Sequence, residues 1–527
     1  MKKWIALLLA LACCAAMLAG CGTDAGTTEV NTPGYITPDL SGTQLTIYTP
    51  TNSDNDIEGS YLDTTLEKYL NADLQFIETD GLTNVVRQMV NEGTPPDLVY
   101  LTGYTHKSWG EFGAEYEAFV NILDCLESMP NLKAYIEDPA NQEVIKKYTY
   151  SEGKMYAMPI AKSGSAAIYA YLYRQDIFEK HGLTFPTNQE EFVAVLRKLK
   201  ELYPDSEPFI MRSMKKNIQA AQNYGHLWGA SHLSQTSSGV TFTLDENGNY
   251  YLAAVSEPYK ELAIFWKELM DEGLMSKSSL KVDTDGWYAA FRANKSFITY
   301  DKVDRLPLMN ENGRMDNPEF VAVAGAPFNM GSHAQKTDVV STSFAEGISS
   351  ICFMVGYNEN MGESLAYLDW LYSPEGSLMT SWGKEGESYE VAKDGTKSFK
   401  EGFIDSQGGW AATGLGASGS CGIFDFEAYK AACEPYLAES ITIAEQFVGK
   451  SPKQPLLSFT EDEQLMYVTY GPSMYNYVVG EWYKFVSGDR DIAEWDQVLE
   501  RAKKVYGYDV LMELHQSAYE RVKQEEQ

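Results

Sequence analysis

The hydrophobic residues that follow the N-terminal segment change their period several times. Apolar runs at 45–48, 74–77 and 97–101 are short and continuous, which is typical of buried strands. Between them, the stretches 60–70 and 82–90 place apolar residues three and four positions apart, the spacing of an amphipathic helix. Strands that alternate with helices predict a βαβαβ series and therefore an α/β fold with a mostly parallel sheet.

The carboxyl ends of the first and third predicted strands are candidate ligand-binding loops, because ligands of such sheets bind beyond these ends. The two loops are 49–54 and 102–109. Their candidate ligand residues are Thr51, Asn52 and Asp54 in the first, and Tyr104 and Trp109 in the second. The first three have an alternative interpretation as an ordinary capping loop.

The same reading continues along the chain. An alternating apolar stretch at 166–173 predicts a strand, and Thr187 with Glu190 predicts a capping box at the start of a helix. An Asn-Gly turn within 244–251 predicts a hairpin. Helical spacing also marks 259–270 and the face formed by Trp495, Val498, Leu499, Ala502 and Val505.

The N-terminal segment has a positive start, an apolar run and a cysteine. Its uncharged run, 5–18, is shorter than the roughly 18–20 apolar residues of a membrane span and suits the core of an export signal. The run ends in Leu-Ala-Gly-Cys at 18–21, which resembles the lipobox of bacterial lipoproteins. The resemblance implies a signal peptide over 1–20 and lipidation of Cys21. The alternative is an ordinary signal peptide with an incidental cysteine.

A stretch rich in Gly, Thr, Pro and Asp follows the cysteine. Residues 21–41 have no apolar period, so they bury too little surface to fold and are predicted to form a flexible tether. The folded body is then anchored by lipid at the extracellular face of the cell membrane, and its function concerns what lies outside the cell.

Length and charge narrow the class of protein. A chain of 527 residues exceeds one core, so two or three domains are expected. A net charge of −32 repels nucleic acid, which is therefore not expected as a partner.

Four cysteines remain beyond the lipobox, too few for a disulfide scaffold; Cys421 and Cys433 either pair or, as we expect, stay free. The 35 Tyr and 10 Trp suit ligands with apolar faces and polar edges, such as sugars.

Two motifs carry a family resemblance. Residues 153–159 read GKMYAMP, and 173–192 contain Tyr-Arg, Asp, Phe, Lys, Gly-Leu, Pro-Thr and Glu-Phe at matching spacing. Together they resemble the family 1 extracellular solute-binding proteins, the maltodextrin-binding-like receptors of ABC importers, in their longer Gram-positive branch. Weaker similarity continues through 287–300, 353–376, 382–390 and 495–521. The chain departs from the family pattern at Asn188, where the family has Trp, and at Asn294, where it has Gly.

The resemblance implies two α/β lobes joined by a hinge, with a ligand cleft at their interface and closure on ligand. The expected lobes are 42–160 with about 345–400, and 161–344 with about 401–527. It also implies permease subunits of an ABC importer as partners, and we expect a monomer.

Five more residues are predicted to contact ligand. Trp228 is flanked by glycines that would expose its ring, and Tyr300 with Asp301 ends a strand where relatives often present an aromatic ring. Trp382 is carried over from the family pattern, and Trp410 lies in a Gly-rich loop. Trp266, Trp370 and Trp482 have helical spacing and are predicted to be core.

No cofactor or metal is predicted. The GxGxxG at 414–419 lacks the strand and helix of a dinucleotide fingerprint and is interpreted as a flexible loop. Some relatives carry a calcium loop after the helix placed here at 190–203, where this chain has Pro-Asp-Ser-Glu-Pro at 204–208.

The sequence therefore favours a receptor that binds an oligosaccharide and is not an enzyme. Three alternatives stay open: the same receptor for a peptide or another solute, a surface-anchored glycan-degrading enzyme, and a structural or sensory lipoprotein without a transport role.

Overall fold

The computed structural model describes residues 38–51, 57–101, 109–149, 153–212, 224–230, 242–244, 248–334, 352–417, 419–448, 457 and 459–525. The expected signal peptide, Cys21 and most of the tether lie outside these residues. The last tether positions do not: Leu40 is buried, and its N–H donates to Leu70 O at 3.1 Å, so the folded body begins before position 42.

Strands and helices are numbered here in chain order. The strands are β1 Gln44–Pro50, β2 Asp73–Thr79, β3 Leu98–Leu101, β4 Met158–Pro159, β5 Ala161–Lys162, β6 Tyr169–Arg174, β7 Phe242–Leu244, β8 Tyr250–Leu252, β9 Ile298–Lys302, β10 Ala322–Gly325, β11 Cys352–Val355, β12 Tyr389–Val391, β13 Lys397–Phe399 and β14 Ile423–Phe424. The helices are α1 Tyr61–Leu70, α2 Leu82–Glu92, α3 Glu111–Ala114, α4 Pro130–Glu137, α5 Gln142–Tyr148, α6 Gln175–His181, α7 Gln189–Leu202, α8 Glu257–Asp271, α9 Thr284–Arg292, α10 Leu306–Arg314, α11 Met361–Leu371, α12 Pro374–Trp382, α13 Phe403–Ser406, α14 Phe426–Ala432, α15 Pro435–Glu445, α16 Glu461–Ser487, α17 Trp495–Val505 and α18 Tyr508–Glu525. None of these helices is long and apolar enough to cross a membrane.

The chain forms two compact α/β units. Unit 1 is Met1–Gly164 with Glu346–Cys433, and unit 2 is Ser165–Ala345 with Glu434–Gln527. One expected boundary is corrected: residues 401–433 belong to unit 1, not to the second lobe. The reason is that β14 pairs in parallel with β5, and Asp425 accepts a hydrogen bond from Trp382 Nε1 at 2.8 Å.

Unit 1 contains the predicted βαβαβ series. Its sheet has the order β2-β1-β3-β11-β4; β1 is parallel to both β2 and β3, whereas β11 is antiparallel to its neighbours. The Gly-rich 414–419 stretch belongs to this unit, and its described part is packed: Leu415 and Ala417 are buried. At Gly416, a Cβ would lie 2.3 Å from the Phe424 ring, so the interpretation as a flexible loop is wrong for these positions.

Unit 2 is built on a three-stranded antiparallel sheet of order β10-β6-β9. The predicted hairpin is present as β7 and β8. The hydrophobic core of unit 2 is strongly aromatic. The predicted capping box is shifted by one residue: Asn188 is the N-cap of α7 and accepts from the Glu191 N–H at 2.9 Å. The Glu191 carboxylate accepts from the Thr187 N–H at 2.9 Å, which gives the departure at Asn188 a capping role.

Asp63 in α1 makes the stability of unit 1 sensitive to pH. Burial, with smaller contributions from nearby carboxylates, raises the pKa of Asp63 to about 6, against 3.8 for a free side chain, although the Gly59 N–H donates to it. Between pH 4 and 6 the folded state therefore binds the proton more tightly than the unfolded state, and the free energy of unfolding falls as pH rises through this range.

We expect Asp63→Asn to raise the free energy of unfolding by about 1–2 kcal/mol at pH 7.5, with the gain shrinking towards pH 4. Urea unfolding at both pH values measures this. Asp80→Asn removes an equal charge from an exposed position and should have little effect. A loss of stability in Asp63→Asn at pH 7.5 would contradict the expectation that the buried charge of Asp63 destabilises the folded state.

Candidate functional site

Some predicted ligand residues lie beyond the description of the structure. Asn52, Asp54 and Tyr104 are outside the described residues, as is Cys21. Thr51 is described: it is exposed, directly follows β1, and its N–H donates to Thr79 O at 3.3 Å. These four ligand positions stay predictions.

The predicted tryptophans of unit 1 pack against rings of their own unit. Trp109 is buried with its ring 5.6 Å from the Phe112 ring, and Trp382 is buried with its ring stacked on Phe399 at 5.1 Å. Trp410 is half-buried and packs edge-on to Phe399. All three have a packing role in unit 1, and their contact with ligand stays a prediction.

The expectation that glycines expose the Trp228 ring is corrected by the structure. Trp228 is only 2% exposed. The flanking glycines allow close packing instead: a Cβ at Gly225 would lie 2.8 Å from Tyr259 Oη, and one at Gly229 would lie 2.4 Å from the His333 carbonyl oxygen. Trp228 nevertheless lines an open pocket of about 230 Å³ with Phe265 and Glu261.

Tyr300 and Asp301 have opposite environments, because successive residues of a strand point to opposite faces. Tyr300 is wholly buried among the rings of Tyr169, Tyr171 and Tyr224, with centroid distances of 5.3–5.9 Å. This corrects the expectation that its ring is presented at the strand end. Asp301 lies on the other face, among charged groups.

Asp301 is paired with Arg212, which was not among the predicted ligand residues. Arg212 donates from Nε to Asp301 Oδ2 at 2.8 Å and from Nη2 to Oδ1 at 3.1 Å. A third bond, at 3.3 Å, joins Arg212 Nη1 to Thr284 Oγ1. The Asp301 side chain has no exposure and that of Arg212 is 12% exposed, so the pair is a fixed, buried part of unit 2.

The chain continues from β9 into a short 3₁₀ helix, Val303–Arg305, which adds more charge beside this pair. The N–H groups of Val303 and Asp304 donate to the carbonyl oxygens of Ile168 and Ala166, both at 2.9 Å. These bonds fix the 3₁₀ helix against the residues before β6. The side chains of Asp304 and Arg305 are 32% and 31% exposed.

We call this group the β9-end cluster. Its members are Tyr169, Arg212, Tyr288, Asp301, Lys302, Asp304 and Arg305. Within the described part of the chain, Tyr288 Oη, Asp304 Oδ1 and Arg305 Nε are buried atoms without a hydrogen-bond partner. Burial raises the pKa of Asp304, while Arg305 and Lys302 oppose this. The partly exposed side chains of Asp304 and Arg305 are the groups that the cluster offers to a polar ligand.

A signal for Arg212 was present in the sequence. It follows the apolar run 208–211, where the Ile210 N–H donates to Ile298 O at 3.1 Å, next to β9. That run has strand character, and Arg212 is the charged residue that directly follows it. Asp304 and Arg305 likewise follow a predicted strand, the one that contains Tyr300. Their position after a strand was therefore also visible in the sequence.

The 204–208 turn holds lysine ammonium groups where some relatives carry calcium. Lys200 Nζ donates to Ser206 O at 2.6 Å, and Lys295 Nζ to Asp205 O at 3.2 Å. Two carbonyl oxygens of this turn are therefore engaged by cations of the chain itself. Among the described residues, no group of three or more His, Cys, Asp or Glu side chains could hold a metal ion. The absence of a calcium loop at this turn stays a prediction.

We expect neither millimolar Ca²⁺ nor EDTA to change the thermal midpoint of the protein, because an ion that stabilises the fold must bind it. Scanning calorimetry in the two buffers measures this. A midpoint that rises with Ca²⁺ concentration would contradict the prediction.

Comparison with known proteins places the chain in a family. A sequence model of the bacterial extracellular solute-binding proteins matches residues 60–377, more than half of the chain. The chain belongs to this family. Members of the family are extracellular solute-binding proteins. One relative, FusA of Streptococcus pneumoniae, is a fructooligosaccharide ABC transporter substrate-binding protein that is 22% identical over 56% of this chain. Lipoprotein LipO of Bacillus subtilis is 22% identical over 98% of this chain and 97% of its own length.

Solved structures share the fold of this solute-binding protein. Alginate-binding protein AlgQ2, solved without calcium ion, aligns with a TM-score of 0.63 and 21% identity over 91% of this chain and 98% of its own. Streptococcus pneumoniae FusA in complex with kestose aligns with a TM-score of 0.64 and 17% identity over 92% of this chain and 100% of its own. These matches and the two α/β units confirm the predicted fold class.

Proposed function

We propose that this protein is a receptor that binds an oligosaccharide outside the cell and delivers it to an ABC importer without cleaving it. Family membership supports the receptor role. Relatives support the sugar: FusA is a fructooligosaccharide ABC transporter substrate-binding protein, by a match that covers 54% of its length. We also propose that the chain is anchored through lipid at Cys21, acts as a monomer, and passes its ligand to permease subunits.

The observation that carries the proposal is the β9-end cluster. A sugar hydroxyl both donates and accepts, so it can bridge an arginine and a carboxylate such as Arg305 and Asp304. Their side chains are about one-third exposed and lie at a strand end. Asp301 is the predicted ligand residue that belongs to this cluster, and it holds Arg212 there by accepting a hydrogen bond from Nε.

A glycan-degrading enzyme fits the same cluster poorly. Hydrolysis of a glycosidic bond takes two carboxyl groups that reach the substrate, one of them exchanging a proton. Asp301 is wholly buried and holds Arg212 through both oxygens, so it is not available for proton transfer. Because Asp304 is the one carboxylate of the cluster that is partly exposed, binding is the better proposal.

Titration with a panel of glycans, peptides and polyamines tests the proposal, using the fluorescence of the nine tryptophans that follow Cys21 and calorimetry as independent readouts. We expect saturable binding of an oligosaccharide, with mass spectrometry recovering it intact. Binding of a peptide or polyamine with no response to any glycan would reject the sugar. Shortened glycan products would reject the receptor without catalysis.

A further inference from the structure

We infer that the oligosaccharide bound by this protein carries a carboxylate, as uronic acids do, and that Lys302 and Arg305 bind this group. The inference rests on the proposed function and makes its substrate class more specific. It starts from an imbalance between cations and anions in the β9-end cluster.

Lys302 and Arg305 have spare charge. Among the described residues, no carboxylate lies within ion-pair distance of Lys302 Nζ, which stands 6.0 Å from the Tyr169 ring centroid. Arg305 has one ion-pair contact, from Nε to Asp304 Oδ1 at 3.4 Å, and this contact lacks hydrogen-bond geometry. The other donors of its guanidinium have no acceptor in the described part of the chain. Two cations three positions apart are therefore available to a ligand.

The carboxylates of the cluster do not offset these two cations. Asp301 is neutralised by Arg212 and also accepts from the Lys302 backbone N–H at 2.8 Å. Asp304 is the remaining anion, and its Oδ1 lies 3.4 Å from Arg305 Nε. Once the Arg212–Asp301 pair is set aside, the cluster has two cationic side chains, Lys302 and Arg305, and one carboxylate, Asp304.

The local excess of cations contrasts with the whole chain. The protein has 74 acidic and 42 basic residues, so an average surface patch is negative. The β9-end cluster, which is rich in hydrogen-bond donors, therefore repels anions less than the rest of the surface does. It favours ligands that are rich in hydrogen-bond acceptors. Guanidinium and carboxylate groups pair through charge-assisted hydrogen bonds, which are stronger than those made to a neutral hydroxyl.

Calorimetry with matched glycans tests the inference. Trigalacturonate, trimannuronate and cellotriuronate are each compared with the neutral trisaccharide of the same linkage, and a sulfated trisaccharide is included. We expect at least one uronate to bind about tenfold or more tightly than its neutral counterpart, and to weaken as salt is raised. A neutral trisaccharide that binds as well as its uronate, or a sulfated one that binds better, overturns the inference but leaves the receptor role intact. Silence of the whole panel rejects the proposed oligosaccharide as well.

Two variants locate the effect. Arg305→Gln should weaken uronate binding about tenfold or more and change neutral-sugar binding less. Arg292→Gln is the matched control, because it removes an equal charge from an arginine of unit 2 that is 38% exposed and pairs with Asp316. Circular dichroism confirms that each variant is folded. Equal losses for both variants, or an unchanged affinity in Arg305→Gln, would overturn the assignment.

Discussion

Asp301→Ala is expected to lower the free energy of unfolding of unit 2 by about 3–5 kcal/mol. Asp301 is wholly buried, and Arg212 donates to both of its carboxylate oxygens. Removing one partner of such a pair leaves the other charge buried without compensation, which is the expensive change. The variant should also lose ligand affinity, because Arg212 is no longer held beside Asp304 and Arg305.

Urea unfolding followed by circular dichroism measures the first effect. The matched control is Glu272→Ala, which breaks a pair of the same bidentate geometry: Arg197 donates to both Glu272 oxygens at 2.8 and 2.9 Å. That pair is 59% and 45% exposed, so its loss should lower the free energy of unfolding by less than about 1 kcal/mol. Equal losses in the two variants would contradict the role assigned to burial.

Arg174→Met is expected to lower the free energy of unfolding by about 3–4 kcal/mol. The Arg174 side chain is 1% exposed and donates to both oxygens of Asp176, at 2.6 and 2.7 Å. It also donates to Phe291 O and to Asn294 Oδ1, both at 2.8 Å. Its guanidinium carbon lies 3.9 Å from the centroid of the Phe320 ring. Methionine fills the volume but donates none of these four hydrogen bonds, and the Asp176 carboxylate loses its arginine.

The same denaturation measurement applies, with Arg314→Met as control. Arg314 is 38% exposed, and its contact with Glu434 is 3.8 Å long, so this variant should stay within about 0.5 kcal/mol of the original protein. A loss in Arg174→Met no larger than that of the control would contradict the account of this buried network.

The fold was predicted from the sequence wherever the period of the apolar residues alone identifies an element. Strands alternating with helices predicted the βαβαβ series of unit 1, since short apolar runs and helical spacing are set by local burial. Val505 shows the limit of that signal: it lies on the predicted apolar face of α17 but is 59% exposed. The spacing of apolar residues identifies which side of a helix is buried. How many turns of that side are buried depends on the length of the element that packs against it.

Departures from the family pattern became intelligible only with coordinates. Asn294 replaces a glycine and has a φ of +52°, a left-handed conformation that asparagine tolerates better than most residues. Its side chain also accepts from Arg174, which glycine could not do. Asn188 likewise caps α7. Both roles depend on backbone conformation and on contacts over distance, which spacing does not report.

The candidate site was predicted less well, because aromatic residues have two uses. Trp228 and Tyr300 were selected for their rings, yet both are buried against the core of unit 2. The charged residues of the β9-end cluster were missed except for Asp301. An arginine after a short apolar run is a common pattern, and only the sheet brings Arg212 next to Asp301.

Hydrogen exchange of the backbone amides, with and without the tightest-binding glycan, tests the central claim most directly. Mass spectrometry of the digested protein reports exchange in each segment. The account predicts slower exchange in the peptides that cover 209–212 and 298–306 when the glycan is bound. Unchanged exchange in both peptides, with slowing confined to other parts of the chain, would contradict the claim that the β9-end cluster binds the ligand.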